Sequence, residues 1–473
     1  MKRIQIFFLH IVILSTIVTS SCKKFVQKAL PANVITAGSV YANNSGATSV
    51  LNGIYINIGS GENLVAGQSS IGYYTGLLSD ELKLYTQGTD WQLYYENNLD
   101  AQTSPSFFRR IYQQLHIVNE AIDGINNSKG ITAGEKSQLI GEAKFLRAFF
   151  LHYATLCYGE IPIVTSADYQ VTSHLHQSPV SDVYNQIITD LKDAQNLLPE
   201  NYVDAQGNTV SDRVRPNKLA ATALLARVYL YNSNWSGAIK ESSYLIQDAQ
   251  LNLETDLNNV FSTTSKEAIW QFQNIDPSYE TLDGFRYVLI SDPGTGDQAV
   301  ALSSFLTNAF ENGDNRFTSW VGTFNSSTGT YYYANKYKVG VYTPAVPITE
   351  YTTVFRLAEQ HLIRAEAYVK NHDTADALLD LNKIRHRAGL PDYSGSTDDQ
   401  SLLDAILHER QVELFTEWGH RWFDLKRTGK IDAVMSSVAP TKNATWESYK
   451  ALLPISQDEI TADHNLHQTP GYH

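Results

Sequence analysis

ARVYLYNSNWSGAIK at residues 226–240 and AEAYVKNHDTADALL at residues 365–379 are two copies of one pattern, separated by 139 residues. Shifting the sequence by that distance superposes Ala226, Tyr229, Asn232 and Ala238 on Ala365, Tyr368, Asn371 and Ala377. A small residue three positions before a tyrosine lets two helices approach closely, and the later alanine falls where a second helix faces the first. Each copy therefore predicts a helical hairpin of tetratricopeptide type, although the Trp and Pro of the full tetratricopeptide pattern are missing.

Apolar periodicity before the first copy predicts more helices of the same kind. Apolar residues recur every three or four positions in 47–58, 105–158 and 178–231. Helical pairs of this kind stack into a solenoid, in which each pair buries its apolar side against its neighbours. The sequence from about 252 to 350 differs, because it is rich in Gly, Ser, Thr and Tyr and lacks sustained helical periodicity.

We predict that the segment 252–350 is a loop-rich insertion on the helical scaffold. EAIWQFQ (267–273) and YKVGVY (337–342) alternate like short strands, whereas ISDPGTGDQ (290–298) and GTFNSSTGTYYYANKY (322–337) are typical of loops. The predicted fold is therefore mainly α, a tetratricopeptide-like scaffold of helical hairpins with an irregular part that contains a few short strands.

The first 22 residues are similar to a bacterial lipoprotein signal. Two basic residues precede an apolar run from Ile4 to Val18 that is too short to span a bilayer, and TSS stands directly before Cys22. We expect residues 1–21 to be cleaved and Cys22 to carry the lipid that anchors the protein. Thr19 departs from the aliphatic residue usual at its position. Cys157, the other cysteine, is expected to be a small buried residue.

Composition narrows the class of protein further. The chain has 473 residues, of which 43% are hydrophobic and 18% charged, as in ordinary globular proteins. Its formal charge of −13 argues against a nucleic-acid partner, whose phosphates require a basic surface. Aromatic residues make up 11% of the chain and include 28 tyrosines. This excess of tyrosine indicates aromatic side chains as candidates for ligand binding.

HERQVELFTEWGHRWFD (408–424) combines His, Glu and Asp residues that could indicate a metal or catalytic site. Its two histidines are twelve positions apart, which is not the HExxH spacing of a zinc helix. Glu409, Glu413 and Glu417 instead step by four along one helix face, with arginines nearby at 410 and 421. We interpret the stretch as an ion-paired scaffold helix that Gly419 ends or kinks, followed by core residues Trp422, Phe423 and Leu425.

The sequence also lacks the signatures of common enzymes. It contains no GxSxG elbow, Walker loop or GxGxxG after a strand. Asp80 and Glu81 could act as the carboxylate pair of a glycosidase, but adjacent residues say nothing about a gap across a sugar bond. We predict no catalytic residue, no cofactor and no metal site.

Aromatic residues in polar segments are the candidate binding residues. Flat aromatic rings stack on the apolar faces of sugars, while nearby Asn, Asp and Arg bind hydroxyls. The alternative is that these rings cover the scaffold, and for any single ring the sequence is compatible with either role. The predicted ligand-binding residues are Trp91, Tyr94, Tyr95, Trp320, Tyr331 and Tyr333.

Several longer segments resemble the SusD/RagB family of outer-membrane nutrient-binding lipoproteins of Bacteroidetes. They are GEAKFLRAFFLHYATLCYGEIPIV, RPNKLAATALLARVYLYNSNW, FRLAEQHLIRAEAYV, LNKIRHRAGLP, HERQVELFTEWGHRWFDLKRTGK and the terminal LLPISQDEITADHNLHQTPGY. The resemblance runs from Cys22 to the end and implies one domain over 22–473. Its N-terminal part covers about 22–230, the insertion about 252–350 and its C-terminal part about 355–473. Thr469 departs from the family's usual Asn, and KKFVQ after Cys22 lacks the acidic residues of many surface-export signals.

The resemblance implies a function without catalysis. Members of the family sit as an extracellular lid on a SusC-like TonB-dependent barrel in the outer membrane. We therefore expect a lipid-anchored protein, facing the cell exterior, that binds an oligosaccharide or polysaccharide and delivers it to that barrel. The alternatives are a peptide-binding import lipoprotein, a tetratricopeptide-type scaffold for protein interaction and, least favoured, a surface glycosidase.

Overall fold

The computed structural model describes residues 40–472, apart from 60–66, 68, 69, 105, 106, 275, 277, 342, 344 and 345. The predicted signal peptide and Cys22 lie outside these residues. The α-helices of the described part are α1 Asn44–Gly59, α2 Ile71–Leu78, α3 Asp90–Tyr95, α4 Phe107–Asn127, α5 Ala133–Tyr158, α6 Tyr169–Thr172, α7 Val180–Leu197, α8 Lys218–Tyr231, α9 Trp235–Ile246, α10 Leu282–Tyr287, α11 Ser304–Thr307, α12 Asn315–Trp320, α13 Leu357–Lys370, α14 Thr374–Arg387, α15 Asp399–Glu413, α16 His420–Arg427, α17 Ile431–Val438 and α18 Gln457–Ala462.

Strands are short and form two-stranded antiparallel sheets throughout the described residues. Their pairs are β1 (Leu82–Leu84) with β5 (Val300–Leu302), β2 (Ile161–Pro162) with β3 (Gln177–Ser178), β4 (Ala268–Phe272) with β8 (Thr352–Arg356), and β6 (Val321–Asn325) with β7 (Thr330–Ala334). The mainly α fold with a few short strands is confirmed.

Two local predictions within the insertion are wrong. YKVGVY was predicted as a strand, but its described residues have no strand pairing. GTFNSSTGTYYYANKY was predicted as a loop, yet most of it forms the β6–β7 hairpin, in which Gly322 pairs with Tyr333 and Asn325 with Thr330. β-branched and aromatic residues favour strands when a partner strand is present. Here the two strands are separated by a Ser- and Thr-rich turn, so the sequence of the segment resembles that of a loop. EAIWQFQ was predicted correctly, since it contains β4.

The internal repeat appears in the structure with the same shift of 139 residues. α8 and α13 begin and end at equivalent positions, while α9 and α14 begin at equivalent positions and α14 ends about half a turn later. The turn residues Ser233 and His372 are equivalent and both have positive φ, 56° and 59°. Asn234 and Asp373 each cap the second helix by accepting a hydrogen bond from a backbone N–H three residues later. The hairpin prediction is therefore confirmed down to its turn and cap.

The hairpins pack side by side in a solenoid. α4, α5, α7, α8, α9, α13, α14 and α15 contact one another along the chain of hairpins, and the repeat residues Ala226, Ala238, Ala365 and Ala377 are buried between helices. The small side chains allow the close approach that the sequence pattern predicted. Burial also raises the pKa of the Cys157 thiol to about 12, in agreement with its predicted place in the core.

The stretch 408–424 belongs to a buried ion-pair network at the join between scaffold and insertion. Its cations and carboxylates are Arg316, Lys336, Arg356, Arg385 and Arg387 with Glu267, Asp314, Glu409, Glu413 and Glu417. Glu413 lies at its centre: Oε1 is 2.6 Å from Arg356, Oε2 is 3.0 Å from Arg316, and Arg387 also pairs with it. Such a network joins segments that are far apart in sequence.

The structural interpretation of this stretch is confirmed, but its predicted pairing is wrong. α15 ends at Glu413, so Glu417 is not on the same helix. Arg410 pairs with Asp424 at 2.7 Å, and Arg421 pairs with Asp80 at 2.7 Å, instead of with glutamates one turn away. Gly419, with φ of 75°, starts α16, and Trp422, Phe423 and Leu425 are buried as predicted.

Candidate functional site

The first predicted aromatic cluster lies on a short helix and not on a loop. α3 places Trp91 and Tyr95 one turn apart on the same side, where both rings are partly exposed. The Trp91 ring packs on Tyr73 with 5.8 Å between centroids. Lys442 lies over the Tyr95 ring, its Nζ 4.8 Å from the centroid. The helix thus presents two supported rings at the surface.

Two predicted binding residues are buried. Trp320 has no exposed surface, its Nε1 donates to the Leu257 carbonyl oxygen at 2.9 Å, and Lys336 and Arg356 lie over its ring. Tyr94 is 3% exposed and stacks on Tyr74 with centroids 4.0 Å apart. Neither ring has a face that a sugar could reach, so both serve the core in this structure.

The second predicted cluster lies on β7 of the insertion. Tyr331 and Tyr333 share one side of the strand and are partly exposed, while Tyr332, on the other side, packs against Phe317. The Tyr333 ring covers Gly322, where a Cβ atom would meet it at 2.2 Å. The hairpin therefore needs a glycine opposite Tyr333 for that ring to lie flat.

Tyr85 is not among the predicted binding residues, but it lies between the two clusters. Its ring meets Tyr331 edge to face with 5.3 Å between centroids. On its other side, Tyr85 directly follows β1, which α3 contacts. Burial first, and then Tyr85, raise the pKa of Tyr95 on α3. We call the five partly exposed rings of Tyr85, Trp91, Tyr95, Tyr331 and Tyr333 the aromatic platform.

Polar groups hold the platform and border it. The Tyr331 hydroxyl is 2.9 Å from the Thr328 hydroxyl, which in turn donates to Asp292. Hydrogen bonds from Thr328 and Ser326 lower the pKa of Asp292, so this carboxylate is ionised at neutral pH. Lys83 lies over the Tyr85 ring at 5.1 Å. The platform thus combines apolar ring faces with groups able to bind hydroxyls.

Comparisons with known proteins match most of the chain to one family. Residues 48–230 match a family described as "Starch-binding associating with outer membrane", and residues 321–472 match the SusD family. The chain belongs to the SusD family. "SusD-like protein P2" from Formosa agariphila is 25% identical over the full length of both chains. A SusD-like protein from Bacteroides ovatus is 24% identical over an alignment that covers 76% of this chain and 71% of that protein.

Solved structures show the same SusD fold. A "Laminarin binding SusD-like protein" superposes with a TM-score of 0.75 at 22% identity, covering 91% of this chain and all of that one. "Surface glycan-binding protein A" from Bacteroides uniformis superposes with a TM-score of 0.74 at 19% identity, covering 90% and 99%. These likenesses establish the fold of this SusD-family chain.

The described residues of this SusD-family chain offer no helix long and apolar enough to cross a membrane. Nor do its described His, Cys, Asp and Glu residues form a group of three or more that could hold a metal ion. The carboxylates considered as a glycosidase pair are buried, since Asp80 is 4% and Glu81 2% exposed. Asp80 is engaged by Arg421, and Glu81 accepts a backbone hydrogen bond from Thr416 at 3.2 Å.

Glu81 gives this SusD-family chain a testable pH dependence. Burial first, and then Asp80, raise the pKa of Glu81 to about 8, so its neutral form is favoured in the folded protein. A raised folded pKa contributes stability that is present below the unfolded value, near 4.5, and is lost as pH rises to about 8. Glu81→Gln removes this titration.

We expect the free energy of unfolding of wild type relative to Glu81→Gln to fall by roughly 3–4 kcal/mol between pH 5 and pH 8, since a pKa raised from 4.5 to about 8 changes stability by about 1.4 kcal/mol per pH unit over most of that range. Urea denaturation of both proteins at three pH values measures it. The comparison cancels titrations elsewhere in the chain, such as those of the buried histidines. Parallel stability curves would show that Glu81 is ionised in the folded protein.

Proposed function

We propose that this protein is a lipid-anchored cell-surface protein that binds oligosaccharide or polysaccharide on the aromatic platform and passes it to a TonB-dependent barrel. The observation that carries the proposal is the aromatic platform, whose partly exposed rings come from neighbouring segments: Tyr85, at the end of β1, meets Tyr331 of β7, and α3, which carries Trp91 and Tyr95, packs against β1. Its relatives support the ligand class, since one is named as laminarin binding and another as glycan binding.

The platform can bind sugars without any chemical step. Ring faces of Trp91, Tyr95 and Tyr331 would stack on the apolar faces of sugar rings and supply affinity. Asp292 and Lys83, at the border, would bind hydroxyls and select among linkages. Lipid anchoring through Cys22, outward display and delivery to a SusC-like barrel are parts of the same proposal, and they rest on the family and on the lipoprotein-like N-terminus.

Titration calorimetry with neutral oligosaccharides, including laminarin fragments, tests the proposal. We expect Trp91→Ala and Tyr331→Ala each to weaken binding by about 10-fold or more, because loss of one stacked ring costs about 1–3 kcal/mol. Tyr169→Ala is the matched control, since Tyr169 is 78% exposed and lies outside the platform. Unchanged binding in both platform variants would remove the platform from the site.

The same experiment separates the alternatives. Shortening of the oligosaccharide during titration would indicate a glycosidase. Tight binding of peptides, with no sugar bound, would favour a peptide-import protein or a protein-interaction scaffold. Pull-down of a barrel protein from outer membranes, lost in a Cys22→Ala variant that no longer reaches the membrane, tests the partner and the anchor.

A further inference from the structure

A long groove runs along the exposed side of α1 and shares no residue with the aromatic platform. It consists of two adjoining cavities of about 370 and 310 Å³, which share Asn52 and Ala205. From Ser45 to Ile56 the helix lines the groove for about 16 Å, given a rise of about 1.5 Å per residue. We call it the α1 groove.

One half of the α1 groove has apolar and aromatic walls. Tyr55 and Phe272 line it with their ring centroids 6.5 Å apart, together with Ile56, Val203, Val210 and Val214. Arg215 covers one side of the Tyr55 ring at 5.8 Å, and the Tyr55 hydroxyl donates to Glu142 at 2.8 Å. These contacts fix the Tyr55 ring, so that it forms a rigid wall.

The other half is lined by hydroxyl and amide side chains. Ser45, Thr48, Ser49, Asn52 and Gln206 lie along it, with the carboxylate of Glu135 at one side. Glu135 accepts a hydrogen bond from Thr48 at 2.6 Å. Hydroxyls and amides both donate and accept, which suits a ligand that itself carries many hydroxyl groups.

The charged groups that line the α1 groove are Arg215, which is in an ion pair, and the carboxylates of Glu135, Asp204 and Asp212, which form no ion pair among the described residues. Arg215 is paired with Glu142 at 2.8 Å and donates to Asn52 at 2.8 Å. Asp204 accepts hydrogen bonds from the backbone N–H groups of Gln206 and Asn208 within the tight turn that the Val203–Thr209 bridge closes. The net negative charge of the groove disfavours an anionic ligand, and its carboxylate oxygens can accept hydrogen bonds from the hydroxyl groups of a neutral one.

We infer that the α1 groove is a second carbohydrate site, which binds an extended neutral oligosaccharide. Its polar half would bind hydroxyls, and its aromatic half would stack on a ring face. The length of the groove suits several linked sugar units better than one. The inference rests on the proposed carbohydrate-binding function but uses different residues, so the two can fail separately.

Ala205→Trp tests the groove directly. Ala205 lies in the hairpin turn and lines both cavities, so an indole there fills the groove without entering the core. Ala433→Trp, at an exposed alanine on α17, is the matched control. Titration calorimetry with neutral oligosaccharides of increasing length, including laminarin fragments, compares these variants with wild type and Trp91→Ala.

We expect wild type to show two sites and Ala205→Trp one, with at least a 10-fold loss of affinity at the blocked site. Trp91→Ala should leave the groove site intact.

If Ala205→Trp binds every chain length as wild type does, the groove inference is overturned while the platform stands. If Trp91→Ala changes nothing and Ala205→Trp abolishes binding, the platform fails and the groove remains. Binding of none of these sugars, or of peptides in their place, overturns the groove inference.

Discussion

Glu413→Gln should destabilise the protein by about 3–5 kcal/mol, because it removes one charge from the centre of a buried network. Burial by itself would raise the pKa of Glu413, but Arg387, Arg356 and Arg316 outweigh it and hold this pKa well below the usual value. All three arginines are buried, so the neutral amide leaves positive charge that water cannot reach. Urea denaturation at pH 7 measures the loss.

A surface pair provides the matched control for Glu413→Gln. Asp404 pairs with Lys430, and their side chains are 48% and 35% exposed. Asp404→Asn should therefore change the free energy of unfolding by less than about 1 kcal/mol. Equal effects of the two substitutions would contradict a stabilising role for the buried network and would indicate that water or a shifted side chain compensates Glu413→Gln.

Trp320→Ala should cost about 3–5 kcal/mol of stability, since it removes a completely buried indole and leaves a cavity. The substitution also leaves the Leu257 carbonyl oxygen without its hydrogen-bond donor. Lys336 and Arg356 lose their cation–π contacts with the ring. A lowered melting temperature, followed by circular dichroism, is the measurement.

Trp91→Ala is the matched comparison for Trp320→Ala, because it changes the same residue type at the surface. It should keep most of the stability and lose sugar affinity, the opposite of the buried variant. A Trp320→Ala protein that melts as wild type does but no longer binds sugar would restore Trp320 as a binding residue.

The sequence predicted the scaffold well because its signals are local. Spacing within one helix, and the 139-residue shift between two hairpins, are properties of the chain that need no partner. The insertion was predicted less well. Its hairpin from 321 to 334 reads as a loop, because the residues that make it a strand pair act only across the turn.

The candidate site shows the same limit more sharply. Composition suggested aromatic recognition and picked out Trp91, Tyr95, Tyr331 and Tyr333, but it could not separate them from Trp320. Exposure is decided by what packs on a ring from distant segments. Tyr85 had no signal of its own, and only its approach to Tyr331 makes it part of the platform.

The sequence by itself determined the hairpin repeat, the mainly α fold and the structural nature of the stretch 408–424. Tertiary structure alone decided which charges pair: Arg421 reaches Asp80, and Arg410 reaches Asp424, across loops whose path no local spacing encodes. It also decided which rings face solvent. Helix formation depends on neighbours within a turn, whereas burial and ion pairing depend on segments that meet only after the chain has folded.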